Sequence, residues 1–259
     1  MTADNLVIAG KSYSSRLLVG TGKYNNEQEA TLSIKASGAE IVTVAVRRID
    51  LNNNKNSSIL DYISPEKFTI LPNTAGAFST KEAVRIAKLG REILNGKNLL
   101  KLEVLSDPKT LLPNMEFTIE AAKILVKDGF EVMVYCNSDY ESCMKLQDLG
   151  CVSIMPLAAP IGSGLGISEP KKIQKIIDSV AVPVILDAGI GTSSDATIAM
   201  EMGADAVLLN TAIARAKHPV EMALAMKLAV ESGRLALKSG RIPKSDPSPS
   251  SPELGIIES

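Results

Sequence analysis

Short apolar runs alternate along this chain with longer stretches in which apolar residues recur every three or four positions. The runs cover residues 17–19, 41–44, 68–71, 99–104, 131–135, 152–157, 184–186 and 206–209. They are short and rich in Val, Ile and Leu, which suits strands buried on both faces. The longer stretches, residues 26–36, 80–94, 115–127, 139–149, 171–179, 194–202 and 219–238, have the spacing of amphipathic helices. Strands alternating with helices predict parallel strands joined by crossover helices. Eight such strands in roughly 250 residues predict an α/β fold, a (β/α)8 TIM barrel, as a single domain over residues 1–243. A doubly wound sheet is the alternative on pattern alone. Ahead of the first strand, Leu6-Val7-Ile8, Ala9-Gly10 and Lys11-Ser12-Tyr13 predict a short N-terminal hairpin that would cover the bottom of a barrel.

Punctuation agrees with these cuts. Ser79-Thr80-Lys81-Glu82 has the form of a helix cap, and Gly129, Gly150 and Gly203 each follow a helical stretch. Residues 244–259 are Ser/Pro-rich without apolar periodicity, so a disordered tail is expected there.

Composition removes several classes of function. With 28 Lys+Arg against 29 Asp+Glu the net charge is -1, which lacks the basic excess of a nucleic-acid binder. Aromatic residues are 3% and Trp is absent, so no stacking platform for bases is expected. No apolar run approaches the roughly 18 residues of a membrane span, and the first residues lack the features of a secretory signal. Cys136, Cys143 and Cys151 form neither an even disulfide framework nor a C-x-x-C pair. A cytoplasmic, reducing location is therefore expected. His218 is the only histidine, which excludes a His-based triad or a polyhistidine metal site; no metal is expected, and His218 reads as the start of a surface helix.

Barrel enzymes carry their chemistry at the C-terminal ends of the strands. In the fourth strand Leu100, Leu102 and Val104 share the face that suits the outer helices. Lys101 and Glu103 share the other, inward face. A bland reading is a strand end whose Lys and Glu pair with each other or reach solvent. Burying two charges is costly, however, and such cost often marks a site. A buried lysine amine forms a Schiff base with a carbonyl, and Glu103 beside it suits proton transfer. Burial favours the neutral amine and the neighbouring carboxylate opposes it, so both forms stay open at this stage. Asp187 closes the seventh strand, as a second acid/base candidate or a loop-ordering carboxylate. Glycine-rich loops follow the sixth and seventh strands, Pro160 to Gly166 and Ala188 to Gly191, and Asn210-Thr211 follows the eighth. Together they suit an anion such as a phosphate. Lys23, Arg47 and Arg48 are candidates for a basic approach to the site, a solvated loop being the plain alternative.

These residues carry a resemblance. Ser15 to Tyr24, Ser37 to Arg48, Leu71-Pro72-Asn73-Thr74-Ala75-Gly76, Lys101-Leu102-Glu103-Val104, Met155-Pro156-Leu157, Pro160 to Gly164, Asp187 to Thr192 and Gly203 to Ala214 resemble, in order, the bacterial and plastid thiazole synthase family. The similarity runs from about Ser15 to Pro243. It implies an enzyme of the sulfurtransferase class. Such an enzyme condenses 1-deoxy-D-xylulose 5-phosphate, dehydroglycine (2-iminoacetate) and sulfur from a thiocarboxylated sulfur-carrier protein into the thiazole phosphate of thiamine. It implies Lys101 as the imine-forming residue and Glu103 and Asp187 as acid/base residues. Gly162, Ala188, Gly189, Asn210 and Thr211 then become the sugar-phosphate contacts. It implies no cofactor beyond the covalent Lys101 imine, a separate enzyme supplying dehydroglycine, and a homo-oligomer, with a tetramer expected. The location implied is the cytoplasm, or the plastid stroma for a plastid-encoded chain. A Schiff-base aldolase or sugar-phosphate lyase on the same barrel, and a non-catalytic carrier-binding scaffold, are the competing readings.

Overall fold

The computed structural model describes residues 4–49 and 62–244. The expected tail therefore lies outside the described residues, apart from Lys244. A hairpin of β1 (Leu6–Ile8) and β2 (Lys11–Tyr13) comes first. Ala9 and Gly10, both at positive φ (48° and 75°), make its two-residue turn, whose twist matches the flanking strands. The barrel strands are β3 (Leu17–Gly20), β4 (Ile41–Ala45), β5 (Thr69–Asn73), β6 (Leu99–Leu102), β7 (Glu131–Cys136), β8 (Ser153–Pro156), β9 (Ile185–Asp187) and β10 (Ala206–Leu209). The helices are α1 (Glu27–Ser37), α2 (Thr80–Ile93), α3 (Met115–Lys127), α4 (Tyr140–Asp148), α5 (Pro170–Ser179), α6 (Ser193–Glu201), the one-turn α7 (Thr211–Ala214) and α8 (Pro219–Ser239).

All eight barrel strands run parallel to their neighbours, in the order β8-β7-β6-β5-β4-β3-β10-β9. The bridges Ile154 to Val184 and Leu157 to Asp187 join β8 to β9 and close the ring. That closure decides between the barrel and the doubly wound sheet.

The helix boundaries have local causes. Asn26, Ser79, Asn114 and Asp139 each accept a backbone N–H of the first turn of their helix. Ser79 Oγ accepts from the Glu82 amide at 3.3 Å, so Ser79 caps its helix as expected, and the Glu82 carboxylate accepts from the amide of Phe78, one residue before the cap, at 2.9 Å. Gly129, Gly150 and Gly203 take positive φ just past their helices. His218 is exposed and precedes Pro219, the first residue of α8. No described helix is long and apolar enough to cross a membrane.

Period-two alternation places the core. Leu100, Leu102, Val104, Val132, Val134 and Cys136 point outward into a layer shared with Ala121, Ala122 and Leu125 of α3. Inside the ring, Leu18, Ile41, Leu71, Met133, Met155, Ile185 and Leu208 pack with Leu6, Ile8 and Tyr13 of the hairpin. The hairpin therefore plugs the N-terminal end of the barrel, as its sequence suggested.

Candidate active site

Two positions further along six of the eight strands, the inward side chains change character. Leu18 is followed by Gly20, Ile41 by Thr43, Leu71 by Asn73, Ile185 by Asp187 and Leu208 by Asn210, while Leu99 is followed by Lys101 and then Glu103. An apolar plug thus gives way to a polar floor at the end where barrel enzymes work. Above it opens a cavity of about 560 Å³. Lys101, Glu103, Asp187, Gly162, Ala188, Gly189, Asn210 and Thr211 all line it, so every catalytic and binding candidate converges on one space.

Lys101, Glu103 and Asp187 are buried, at 5%, 7% and 4% exposure. The Lys101 ammonium forms an ion pair with Asp187 Oδ2. The Tyr135 ring lies with its centroid 5.7 Å from Lys101 Nζ. The floor holds one ammonium and two carboxyl groups, so one charge cannot neutralise both. Burial pushes the Asp187 carboxyl above the ordinary carboxylate range, and Lys101 pulls the other way. Burial likewise raises Glu103; Lys101 opposes it and the Asp187 charge adds to it. Both carboxyls are thereby moved upward, the direction that suits general acid/base catalysis.

The wall above β8, β9 and β10 is built of interlocked loops. Ala188 is held at φ 64°, a region that costs a non-glycine residue roughly 1–3 kcal/mol. Gly189 follows at φ 80°, where a β-carbon would lie 2.3 Å from the Ala159 nitrogen. Gly166 donates to the Gly189 carbonyl at 2.9 Å, tying the two glycine-rich loops together. A β-carbon on Gly162 would face Lys23 Nζ at 3.4 Å and Thr211 Oγ1 at 3.7 Å. Lys23 Nζ donates to Thr211 Oγ1 at 3.3 Å. The buried Asn210 Oδ1 has no hydrogen-bond partner among the described residues.

Cations gather on this wall. Burial holds Lys23 below the ordinary lysine value, and the charges of Arg215 and Arg48 act in the same direction. Lys23, Arg48 and Arg215 all line the cavity. Arg47 does not: it turns outward to Glu82 at 3.3 Å. Of the three basic candidates, Lys23 and Arg48 are at the site and Arg47 is beside it.

Several lining residues lay outside the sequence-derived set. Arg215 follows Thr211 by four residues, the spacing that stacks side chains on one helical face. Thr43 and Asn73, both buried, form a hydrogen bond of 2.8 Å across β4 and β5. Applying the inward-face argument of Lys101 to every strand would have found Thr43, Asn73 and Tyr135. The cysteines are all buried and free. Burial first of all raises the Cys136 thiol and pushes that of Cys151 to about 12, so neither is primed as a nucleophile.

Residues 7–252 match the protein family described as "Thiazole biosynthesis protein ThiG". A protein of Aromatoleum aromaticum named "Thiazole synthase" is 58% identical over 259 residues, covering 99% of each chain. One of the same name from Nitrosospira multiformis is 57% identical over 257 residues, covering 98% of this chain and 97% of that protein. Among solved structures, the "Amycolatopsis orientalis BexX/CysO complex" superposes with a TM-score of 0.83 at 32% identity, covering 93% of this chain and 98% of that one.

Proposed function

The chain belongs to the thiazole synthase family of thiamine biosynthesis, and from that premise we propose that Lys101 carries the reaction as a Schiff base with the sugar-phosphate ketone. The single observation behind this is the buried Lys101 Nζ, ion-paired to Asp187 on a cavity floor that also holds the buried Glu103, beneath a wall of glycine loops and cations.

In this reading the phosphate of 1-deoxy-D-xylulose 5-phosphate lies against Gly162, Ala188, Gly189, Asn210 and Thr211, with Lys23 and Arg215 supplying charge. The ketone then reaches down to Lys101. The amine adds to the carbonyl carbon, and a floor carboxyl protonates the departing hydroxyl, which leaves as water. Glu103 removes the proton on the carbon next to the imine, and protonation of the former imine carbon completes the tautomerisation. The result is a carbonyl beside the carbon that Lys101 holds. The carrier's thiocarboxylate sulfur adds to that carbonyl carbon, the acyl group passes from the sulfur to the former carbonyl oxygen, and the carrier leaves as its carboxylate with that oxygen, so that a thiocarbonyl remains. Dehydroglycine, supplied by a separate enzyme, adds next; the ring closes, and water and Lys101 leave. The Lys101 imine serves here where other enzymes use a resident cofactor.

The carrier's anionic tail approaches past Lys23 and Arg48. A protein partner is supported by the structural relative, which was solved as a complex with CysO. A homo-oligomer, with a tetramer expected from the family, is supported by the exposed stripe Leu224, Leu228 and Leu235 on α8. Three free thiols support a reducing compartment such as the cytoplasm.

The test is product formation from the sugar phosphate, dehydroglycine and thiocarboxylated carrier, with the carrier omitted in a parallel reaction. Thiazole phosphate that forms only with carrier, and not with Lys101→Ala, supports the scheme. Wild-type turnover by Lys101→Ala overturns it. Sugar-phosphate cleavage without carrier would assign an aldolase instead.

A further inference from the structure

We infer that Thr74 is the positioning residue for Glu103: its hydroxyl takes the place of a β-ladder and sets where the Glu103 carboxyl stands on the cavity floor. The inference rests on reading Glu103 as a proton-transfer group.

Strands β5 and β6 share only the register pair Asn73 to Lys101. The Thr74 amide then donates to the Lys101 carbonyl at 3.2 Å, and β5 leaves the sheet in a turn closed by Ala77 N–H to the Thr74 carbonyl at 3.1 Å. On the other side, the ladder from β6 to β7 ends at Leu102 and Val134. Glu103 therefore stands one residue past the strand, with a buried backbone N–H and C=O that no strand pairs. Leaving two such groups unpaired is costly. One atom satisfies both. Thr74 Oγ1 accepts from the Glu103 amide at 2.8 Å and donates to the Glu103 carbonyl at 2.7 Å. A hydroxyl is the side-chain group that donates and accepts through a single oxygen. Thr74 is fully buried, at 0% exposure, so water does not compete for these bonds.

The arrangement matters for chemistry because the Glu103 carboxyl has no hydrogen bond of its own to a described side chain; what acts on it is burial first, then the charges of Lys101 and of Asp187. Its place is inherited from its backbone, and that backbone is held by Thr74. The same residue, through its amide, also holds the carbonyl of Lys101. A displacement of about 1 Å in a catalytic group costs on the order of 100-fold in rate.

Thr74→Val keeps the shape and removes both hydroxyl bonds, whereas Thr74→Ser keeps the hydroxyl. The experiment measures kcat, KM for the sugar phosphate, the pH profile of kcat and the melting temperature. It covers both variants, Glu103→Gln and the double variant Thr74→Val/Glu103→Gln. The expected result for Thr74→Val is a fall in kcat of roughly 10-fold or more, a shifted carboxyl limb of the pH profile, and an unchanged KM. Thr74→Ser restores kcat and the profile. In the Glu103→Gln background Thr74→Val adds no further loss, as coupling through one residue requires. Should Thr74→Val not fold, Thr74→Ala against Thr74→Ser reads the same contrast. A wild-type kcat and pH profile for Thr74→Val, with Glu103→Gln impaired, overturns the inference about Thr74. A loss that recurs in full on the Glu103→Gln background overturns it too. Wild-type turnover by Glu103→Gln instead overturns the reading of Glu103 on which it rests.

Discussion

Replacing Lys101 with Met removes the one cation from a floor that keeps two buried carboxyls. In the native protein the lysine opposes the upward push of burial on both Glu103 and Asp187. Without it only the Ala188 backbone hydrogen bond still opposes that push, and only at Asp187. A carboxyl raised in the folded state contributes stability that is complete below its unfolded value, roughly 4, and is lost as pH rises through the folded value. Lys101→Met should therefore melt close to wild type near the acidic end and fall behind as pH rises. Breaking a buried ion pair by removing one partner costs about 3–5 kcal/mol. The cavity above the pair is open, which places the expectation at the lower end, about 3 kcal/mol at pH 8. For a chain of this size each kcal/mol moves the midpoint by about 2–4 °C, so the gap should be roughly 6–12 °C. Thermal unfolding followed by circular dichroism from pH 5 to pH 8.5 reads it. Lys101→Met/Asp187→Asn, which also removes one of the stranded carboxylates, should recover most of the gap. A gap that is the same at every pH, or that the second substitution leaves untouched, would refute the charge balance argued for this floor.

Gly189→Ala should raise KM for the sugar phosphate and lower the melting temperature, because its β-carbon would lie 2.3 Å from the Ala159 nitrogen at φ 80°. Gly96→Ala is the control, since φ there is 82° but nothing lies within 4 Å; it should show only the conformational cost of about 1–2 kcal/mol. Arg215→Ala should raise KM for the sugar phosphate roughly 10-fold, the loss of one charge-assisted contact, and flatten its dependence on salt, read by steady-state kinetics. Asp4 binds Arg16 at 3.0 Å and Arg234 at 2.8 Å. The Arg234 hydrogen bond, with the Arg16 charge, holds its carboxyl well below the usual carboxylate range. Such a group stabilises above its unfolded value and loses that contribution as pH falls. Asp4→Asn should therefore melt below wild type at pH 7, with the difference beginning to shrink only below about pH 4 and still present at pH 3.

The barrel was legible because its strands are buried on both faces and stand out as apolar runs between amphipathic helices. Lys101 and Glu103 were legible for a related reason: charges at alternate positions of a buried strand have few bland explanations. Thr43 and Asn73 occupy the same polar layer, yet neutral side chains raise no such alarm in a strand pattern. The end of β6 at Leu102, two residues before the apolar run stops, was hidden for a physical reason. A side-chain hydroxyl from Thr74 takes over the backbone pairing, and Val104 stays apolar because it still faces the outer helices. The different fates of Arg47 and Arg48 turn on a tertiary contact with Glu82, which neighbouring positions in the sequence do not distinguish. Arg215 joins the cavity only once the chain past β10 coils into a single turn.

The central claim is the covalent role of Lys101. Incubating the full chain with 1-deoxy-D-xylulose 5-phosphate, reducing with borohydride, digesting and mapping the mass adduct tests it most directly. The account predicts a substrate-dependent adduct on the peptide carrying Lys101, absent without reductant and absent from Lys101→Ala. Folded protein that binds the sugar phosphate yet yields no adduct at Lys101 would contradict it.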